Sequence, residues 1–312
     1  MPVTVYYSNH LEDLVRELRK TVSTPLSAEE IFRKDYIITQ TAGMSQWLSA
    51  EIARKENNGI FANFKLLNQD GFLHELYELI TGVKAQTNQE TCKWMIFELL
   101  GSEEFKQHED FITVTEYYGG DDLKRIQLAS RLADLFDQYQ IYRENIIRNW
   151  NADTSSGNEI IAEKWQKWLW RKLIANGNFH PKEMIRDAIL TAINDKDMAS
   201  RIKSSYPVVN FFGNAIYTGY HLGIYEELAS RANIVINHFV VLPVKERTEM
   251  GNYRNGLLQS FGKKYSELSD MLGDGQSVRI DDKQSSKTLL GTIQDNIRSE
   301  EHTSELQSLA YL

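Results

Sequence analysis

The chain has 312 residues, 42% hydrophobic and 25% charged, a balance typical of a globular protein and not of a disordered one. Roughly 150 residues per domain would allow two ordinary domains. The formal net charge of -8 argues against a free-standing, sequence-independent DNA-binding protein, because neutralising phosphates takes clustered Lys and Arg. Any DNA contact must therefore rest on local surfaces or on basic partner chains.

The cysteine count and the N-terminal segment indicate the cellular setting. Cys92 is the single cysteine, so no intrachain disulfide can form, which suits a reducing compartment. A strand-like run, Val3–Tyr7, begins almost at once and leaves no visible signal peptide. No apolar run approaches the roughly 18 residues of a membrane helix. We therefore expect a cytoplasmic protein without membrane contact.

Strand-like and helical segments alternate along the chain. Strands are predicted at residues 3–7, 36–40, 61–67, 207–212 and 234–242. Helices with apolar residues three and four apart follow the first two strands, and a helical run separates the last two. The long stretch 69–205 is helical in pattern; within it, the core-facing side is predicted at Leu128, Leu132, Leu135, Tyr139 and Tyr142. The pattern predicts an α/β fold with a parallel sheet, interrupted by a helical insertion.

The predicted organisation has five parts. They are the first part of the α/β core (1–68), the helical insertion (69–205), the resumed core (206–243), the start of a truncated following segment (244–297) and an artefactual tail (298–312). The tail includes Arg298–Ser308, RSEEHTSELQS, which resembles the in-frame translation of a sequencing-adapter oligonucleotide. We therefore expect the natural sequence to continue beyond about Ile297 in a longer protein.

Motifs for nucleotide or metal chemistry are missing from the places where this fold would carry them. A phosphate-binding loop needs G-x-x-x-x-G-K-[ST] after the first strand, but the chain reads Tyr7-Ser8-Asn9-His10-Leu11 there. The histidines are scattered without metal-ligand spacing. We therefore expect no ATP hydrolysis, cofactor or metal site in this chain.

Two carboxylates, Asp134 and Asp137, lie three residues apart on a predicted helix and can project to one side. Three interpretations are open: a metal pair of a nuclease, solvated surface residues, or acceptors for the N–H donors of base edges. Gln40 ends its predicted strand, where open α/β sheets place ligand sites, and Gln46 lies off the apolar side of the next helix. Amides both donate and accept hydrogen bonds, which suits base reading.

Basic and aromatic residues alternate over Lys164–Lys172, KWQKWLWRK, a pattern seen where bases stack on rings. Trp165, Trp168 and Leu169 would share one helical face, so core packing with basic flanks is favoured over base stacking.

Two segments carry a resemblance to a known family. Thr39–Leu48 reads TQTAGMSQWL and Asp134–Arg143 reads DLFDQYQIYR. Together they resemble the RecC family, the gamma subunits of bacterial exodeoxyribonuclease V (RecBCD), and the likeness covers roughly residues 3 to 270. It implies a superfamily 1 helicase-like, RecA-like (P-loop-NTPase-type) core that has lost its ATPase residues and carries the helical subdomain as an insertion.

The resemblance also implies a function in double-strand-break repair by homologous recombination. Its implied DNA-binding residues, part of the tunnel that recognises the Chi signal, are Gln40, Gln46, Asp134, Leu135, Asp137 and Arg143. Ala42 departs from the family's pattern, so the signal read need not be the same. The implied partners are RecB-like and RecD-like subunits, which supply ATP and Mg chemistry, and single-stranded and double-stranded DNA ends. The alternatives are a metal-dependent nuclease using Asp134 and Asp137, and a structural scaffold without DNA contact.

Overall fold

A computed structural model describes residues 3–22, 34–54, 62–85, 88–152, 161–242, 262–273 and 276–280. The described strands form one six-stranded parallel sheet in the order β3-β2-β4-β5-β1-β6. The strands are β1 Val3–Ser8, β2 Asp35–Thr39, β3 Phe64–Leu67, β4 Val208–Phe212, β5 Val235–Val241 and β6 Gln276–Arg279. The inner strands are rich in buried β-branched and aromatic residues, as expected where both faces of a parallel sheet are covered.

Helices account for most of the remaining described chain. They are α1 Leu11–Val22, α2 Ala42–Ile52, α3 Gln69–Thr81, α4 Gln89–Gly101, α5 Glu103–Lys106, α6 Ile112–Tyr118, α7 Asp122–Tyr142, α8 Glu144–Asn151, α9 Ile161–Ala175, α10 Lys182–Asn194, α11 Lys196–Ser205, α12 Gly219–Arg231 and α13 Lys263–Met271. A 3-10 turn, Glu109–Phe111, precedes α6. Within the described ranges, no helix is both long enough and apolar enough to cross a membrane.

The chain divides into two compact units, 1–72 with 193–312 (the sheet unit) and 73–192 (the helical unit). In the sheet unit, α1 and α2 pack on the sheet through Leu14, Leu18 and Leu48, which meet Phe212 and Phe239. In the helical unit, α4, α7 and α9 enclose a separate aromatic-rich core that includes Phe136, Trp150 and Trp170. The two separate apolar cores agree with the two domains that the length of the chain allows.

The predicted α/β class, its parallel sheet and five of its strands are confirmed, with strand ends shifted by one to three residues. The sixth strand, β6, was not predicted: residues 276–279 pair with β1 in the same sheet, although 244–297 was interpreted as a following segment. Helices α3 to α11 fill the predicted 69–205 stretch, whereas the compact helical unit spans 73–192. The suspected tail, 298–312, lies outside the described residues.

The predicted core face of α7 was partly wrong. Its buried residues are Ala129, Leu132, Ala133, Phe136 and Gln140. Tyr142, predicted to face the core, is 70% exposed because α7 ends there and α8 starts at Glu144. The two small alanines form part of the surface against which α4 packs, and they carry little of the hydrophobicity by which a core stripe is recognised.

Candidate nucleic-acid interface

The first group of predicted site residues lies where β2 and β4 end side by side. Connections leave these neighbouring strands toward opposite edges of the sheet, which makes a crevice at their carboxyl ends. Gln40 follows β2 directly, and its Oε1 accepts a hydrogen bond from the Ala215 amide at 3.1 Å. The buried Asn214 donates from Nδ2 to the Ile38 carbonyl at 3.1 Å. The hydrogen bond from Ala215 thus fixes the Gln40 side chain through Oε1, whereas its Nε2 group makes no hydrogen bond with the described residues.

Helix α2 starts at the same crevice. Thr41 is its N-cap and accepts from the Met44 amide at 3.2 Å, which satisfies a backbone donor that the helix itself cannot. Gly213 has a φ of +65°, and a Cβ there would lie 3.1 Å from Met44 Cε, so this position favours glycine. Gln46 is exposed on the next turn of α2 and points away from the buried Leu48. Both glutamines therefore present amide groups to solvent beside one strand end.

The second group of predicted site residues lies on α7 in the helical unit. Gln89 Nε2, at the start of α4, donates a hydrogen bond to Asp134 Oδ1. Lys182 Nζ, at the start of α10, forms an ion pair with Asp137 Oδ1 at 3.3 Å. The Lys182 side chain is 9% exposed and that of Asp137 is 46% exposed. Lys182 therefore partly neutralises Asp137, whereas Asp134 is oriented by an uncharged amide, and each carboxylate keeps unused acceptor capacity.

Gln140 supports this arrangement from one turn further along α7. Its Oε1 accepts from the Lys182 backbone amide at 2.7 Å, and its Nε2 donates to the Phe136 carbonyl at 3.2 Å. The first amides of a helix have no partner inside the helix, so Gln140 satisfies one that α10 would otherwise leave unbonded. This fixes the start of α10, and with it the lysine that meets Asp137.

Cys92 on α4 lies beside the same group of side chains and is buried. Burial, and after it the negative charge of Asp137, raise the pKa of its thiol to about 12. The thiol is therefore protonated at neutral pH and a poor nucleophile.

The remaining predicted residues lie on either side of this cluster. Leu135 is half-buried on α7. Arg143 is exposed at the corner between α7 and α8, where its carbonyl accepts from the Ile146 amide at 2.9 Å. Six residues at 1.5 Å per residue put it about 9 Å along the axis from Asp137. The structure thus groups Asp134, Leu135 and Asp137 within one turn, with Arg143 further along.

Sequence reasoning missed Gln89, Gln140 and Lys182, which orient the two carboxylates. Only Gln140 had a local signal, since it lies within the DLFDQYQIYR segment on the same helix. Gln89 and Lys182 are 45 residues from the carboxylates they contact, and no spacing rule joins them. Across the described residues, no group of three or more His, Cys, Asp or Glu side chains is placed to hold a metal ion. Asp134 and Asp137 therefore have no third protein ligand within the described part of the chain.

The turn after β1 stands where a nucleotide-binding α/β fold would hold phosphates. Here the Ser8 hydroxyl accepts from the His10 amide at 3.2 Å and donates to Asp13 Oδ2 at 3.4 Å, so side chains close the turn. A cavity of about 370 Å³ lies beside it. Its described lining is Asn9, His10, Leu11, Glu12, Met44, Gly213, Asn214, Ala215, Val241, Tyr265 and Leu268. None of these residues is a lysine or an arginine.

Comparison with known proteins places the chain in a family. The model of the RecC N-terminal domain matches residues 3–300. The chain belongs to the RecC family. This confirms the resemblance carried by the α2 and α7 segments.

Individual RecC proteins are similar at a distance. The chain is 27% identical over 260 residues to the RecBCD enzyme subunit RecC of Haemophilus influenzae, covering 74% of this chain and 22% of that protein. It is 29% identical over 175 residues to the RecC of Escherichia coli K12, covering 54% and 15%, and 28% identical over 174 residues to that of Buchnera aphidicola from Acyrthosiphon pisum, covering 55% and 16%. The chain therefore spans about a fifth or less of the length of these RecC relatives.

Proposed function

We propose that this chain is the DNA-binding, signal-recognising part of a RecC-type subunit, which inspects single-stranded DNA for a Chi-type sequence during double-strand-break repair by homologous recombination. Family membership supports the setting, because the similar proteins are named as subunits of the RecBCD enzyme. The partners are then RecB-like and RecD-like chains, and the ligands are single-stranded and double-stranded DNA ends.

The base-reading role rests on the exposure and orientation of the Asp137 carboxylate. Its carboxylate is half-exposed and oriented by a lysine that is almost completely buried. A fixed carboxylate accepts hydrogen bonds only, so it selects the amino and imino donors of base edges and repels phosphates. Asp134 presents a second acceptor one turn away, also oriented by an amide. Oriented acceptors of this kind suit recognition of bases in a strand whose backbone is held by other residues.

The same proposal makes the sheet unit an inactivated helicase core of the superfamily 1, RecA-like type. Its parallel sheet supports this, and so does the turn after β1, which side chains close where a phosphate loop would offer amides and a lysine. No cofactor belongs to this chain. ATP hydrolysis, Mg chemistry and strand cleavage fall to the partner subunits.

The test is the pair of variants Asp137→Ala and Asp137→Asn in the complete three-chain complex. A good base contact carries about 1–3 kcal/mol of discrimination, so we expect the response to the preferred sequence to fall roughly tenfold or more. Unwinding and overall DNA affinity should change little, because affinity rests on backbone contacts. Asp187→Ala, which removes an exposed carboxylate from α10, is the matched control. An unaltered signal response in both Asp137 variants would refute the base-reading role.

The same measurements separate the two alternatives. A nuclease using Asp134 and Asp137 as metal ligands predicts loss of cleavage on every sequence with either variant. A scaffold without DNA contact predicts no change in unwinding, cleavage or signal response. Since Asp137 forms an ion pair with Lys182, thermal denaturation of each variant complex shows whether assembly is preserved.

A further inference from the structure

A second cavity, separate from the carboxylates of α7, lies in the helical unit along α9. Its volume is about 470 Å³. Its lining is His108, Asp110, Phe111, Lys164, Lys167, Trp168, Arg171, Lys172 and Ala175. Pockets of this size hold one small ligand, so a single nucleotide fits the scale and a duplex does not.

The two sides of α9 have different environments. Leu169, Trp170 and Leu173 are buried in the helical core. Lys164, Trp168 and Arg171 recur at spacings of four and three on the side that lines the cavity. Trp165 and Trp168 pack against the same core as Leu169, so the core packing favoured from the sequence is confirmed. Trp168 and the basic residues beside it also line the cavity.

The cavity side is strongly basic. Among the described lining residues, four are cationic and one, Asp110, is a carboxylate, in a chain whose net charge is -8. Lys164 forms an ion pair with Asp110 at 3.0 Å, and Lys172 with Glu104 at 2.7 Å. Lys167 is almost completely buried in the cavity wall.

Aromatic rings complete the wall. The His108 ring is stacked on Phe111 with centroids 3.7 Å apart, and Trp168 packs edge-on against Phe111 at 5.9 Å. Lys172 Nζ lies 5.2 Å from the centroid of the half-buried Trp168 ring. Cations interleaved with rings are how proteins bind single-stranded nucleic acid without reading its sequence, since cations hold the phosphates and rings meet the bases.

We propose that this cavity binds the backbone of single-stranded DNA, with phosphates against Arg171 and Lys172 and one base against Trp168. This goes beyond the base-reading function, because the contact is independent of sequence and uses none of its residues. The rings favour nucleic acid over an acidic protein segment, which would use the cations alone. A local basic surface of this kind also explains how a chain of negative net charge contacts DNA.

The test is binding of a fluorescent 20-mer of oligo-dT to the full chain, followed by anisotropy at several salt concentrations. Arg171→Ala with Lys172→Ala should weaken binding about tenfold at low salt and lower the salt slope by about 1.4, at roughly 0.7 per phosphate contact. The matched control, Lys196→Ala with Lys203→Ala, removes two cations from α11 and should leave both values unchanged. Equal effects of the two double variants, or no effect of either, would overturn the proposal.

Trp168→Leu keeps an apolar wall without an aromatic face and should weaken binding about tenfold, while Trp168→Phe should retain most of it. Circular dichroism shows whether each variant is folded. If Trp168→Leu does not fold, the comparison of the two double variants tests the proposal. Tighter binding of polyglutamate than of oligo-dT would identify an acidic protein segment instead. Displacement of oligo-dT by millimolar inorganic phosphate would reduce the cavity to a small-anion site. Oligo-dT measures binding that is independent of sequence, whereas the signal response of the complete complex measures base reading, so failure of this proposal and failure of base reading are distinguishable.

Discussion

Replacing Gln140 by leucine removes both hydrogen bonds by which this side chain joins α7 to the start of α10. The buried Lys182 backbone amide loses its acceptor, and leaving a buried donor without a hydrogen bond costs about 1–3 kcal/mol. The bond to the Phe136 carbonyl adds little, because the helix already uses that carbonyl. Additional buried apolar surface from leucine offsets about 1 kcal/mol. We therefore expect the free energy of unfolding of the helical unit to fall by about 1–2 kcal/mol.

The assay is urea unfolding followed by tryptophan fluorescence. Five of the six tryptophans lie in the helical unit, so the signal reports mainly on it. With a urea slope of about 2 kcal/mol/M, within the usual range, the midpoint should fall by roughly 0.5–1 M. Gln138→Leu, on the exposed side of the same helix, is the matched control and should stay within about 0.5 kcal/mol of the parent. Equal midpoints for the two variants would show that the α10 amide does not depend on Gln140.

Two further outcomes follow from the crevice and the buried thiol. Gly213→Ala should lower the free energy of unfolding by about 1–2 kcal/mol, because alanine is strained at a φ of +65°. In the same denaturation experiment, Gly223→Ala should instead raise the free energy of unfolding by up to about 1 kcal/mol, because this glycine occupies an open helical position of α12. Cys92 is the single thiol, and at pH 8 it should react with a thiol reagent roughly a thousandfold more slowly in the folded protein than in the unfolded protein, because a pKa of about 12 leaves almost no thiolate. Comparable rates in the two states would contradict the burial of this side chain.

The strands of the sheet could be predicted where the signal is local. Runs such as Val208–Phe212 and Val235–Val241 are apolar enough to indicate buried parallel strands on their own. Strand β6 could not be predicted, because Gln276–Arg279 is short and polar and is extended by pairing with β1. Its strand character comes from a partner more than 260 residues away.

Sequence reasoning placed the candidate residues on the right strands and helices but could not predict which side chains they contact. The end of β2 and the turn of α7 were located correctly on their elements, since both follow from strand and helix periodicity. The contacts that orient the side chains, from Ala215 to Gln40 and from Lys182 to Asp137, join residues far apart in sequence. No periodic pattern specifies such pairs, so the ion pair between Lys182 and Asp137 emerged only from the folded structure.

The position of β1 in the sheet sets the order in which the fold can be completed during synthesis. β1 is made before the other described strands, yet its neighbours, β5 and β6, begin at Val235 and Gln276. At about 5–20 residues per second, the ribosome needs roughly 13–54 s to reach β6 after finishing β1. The helical unit, whose contacts lie within 73–192, can fold during that interval. The unpaired edges of β1 therefore need protection from other chains until synthesis reaches their partners.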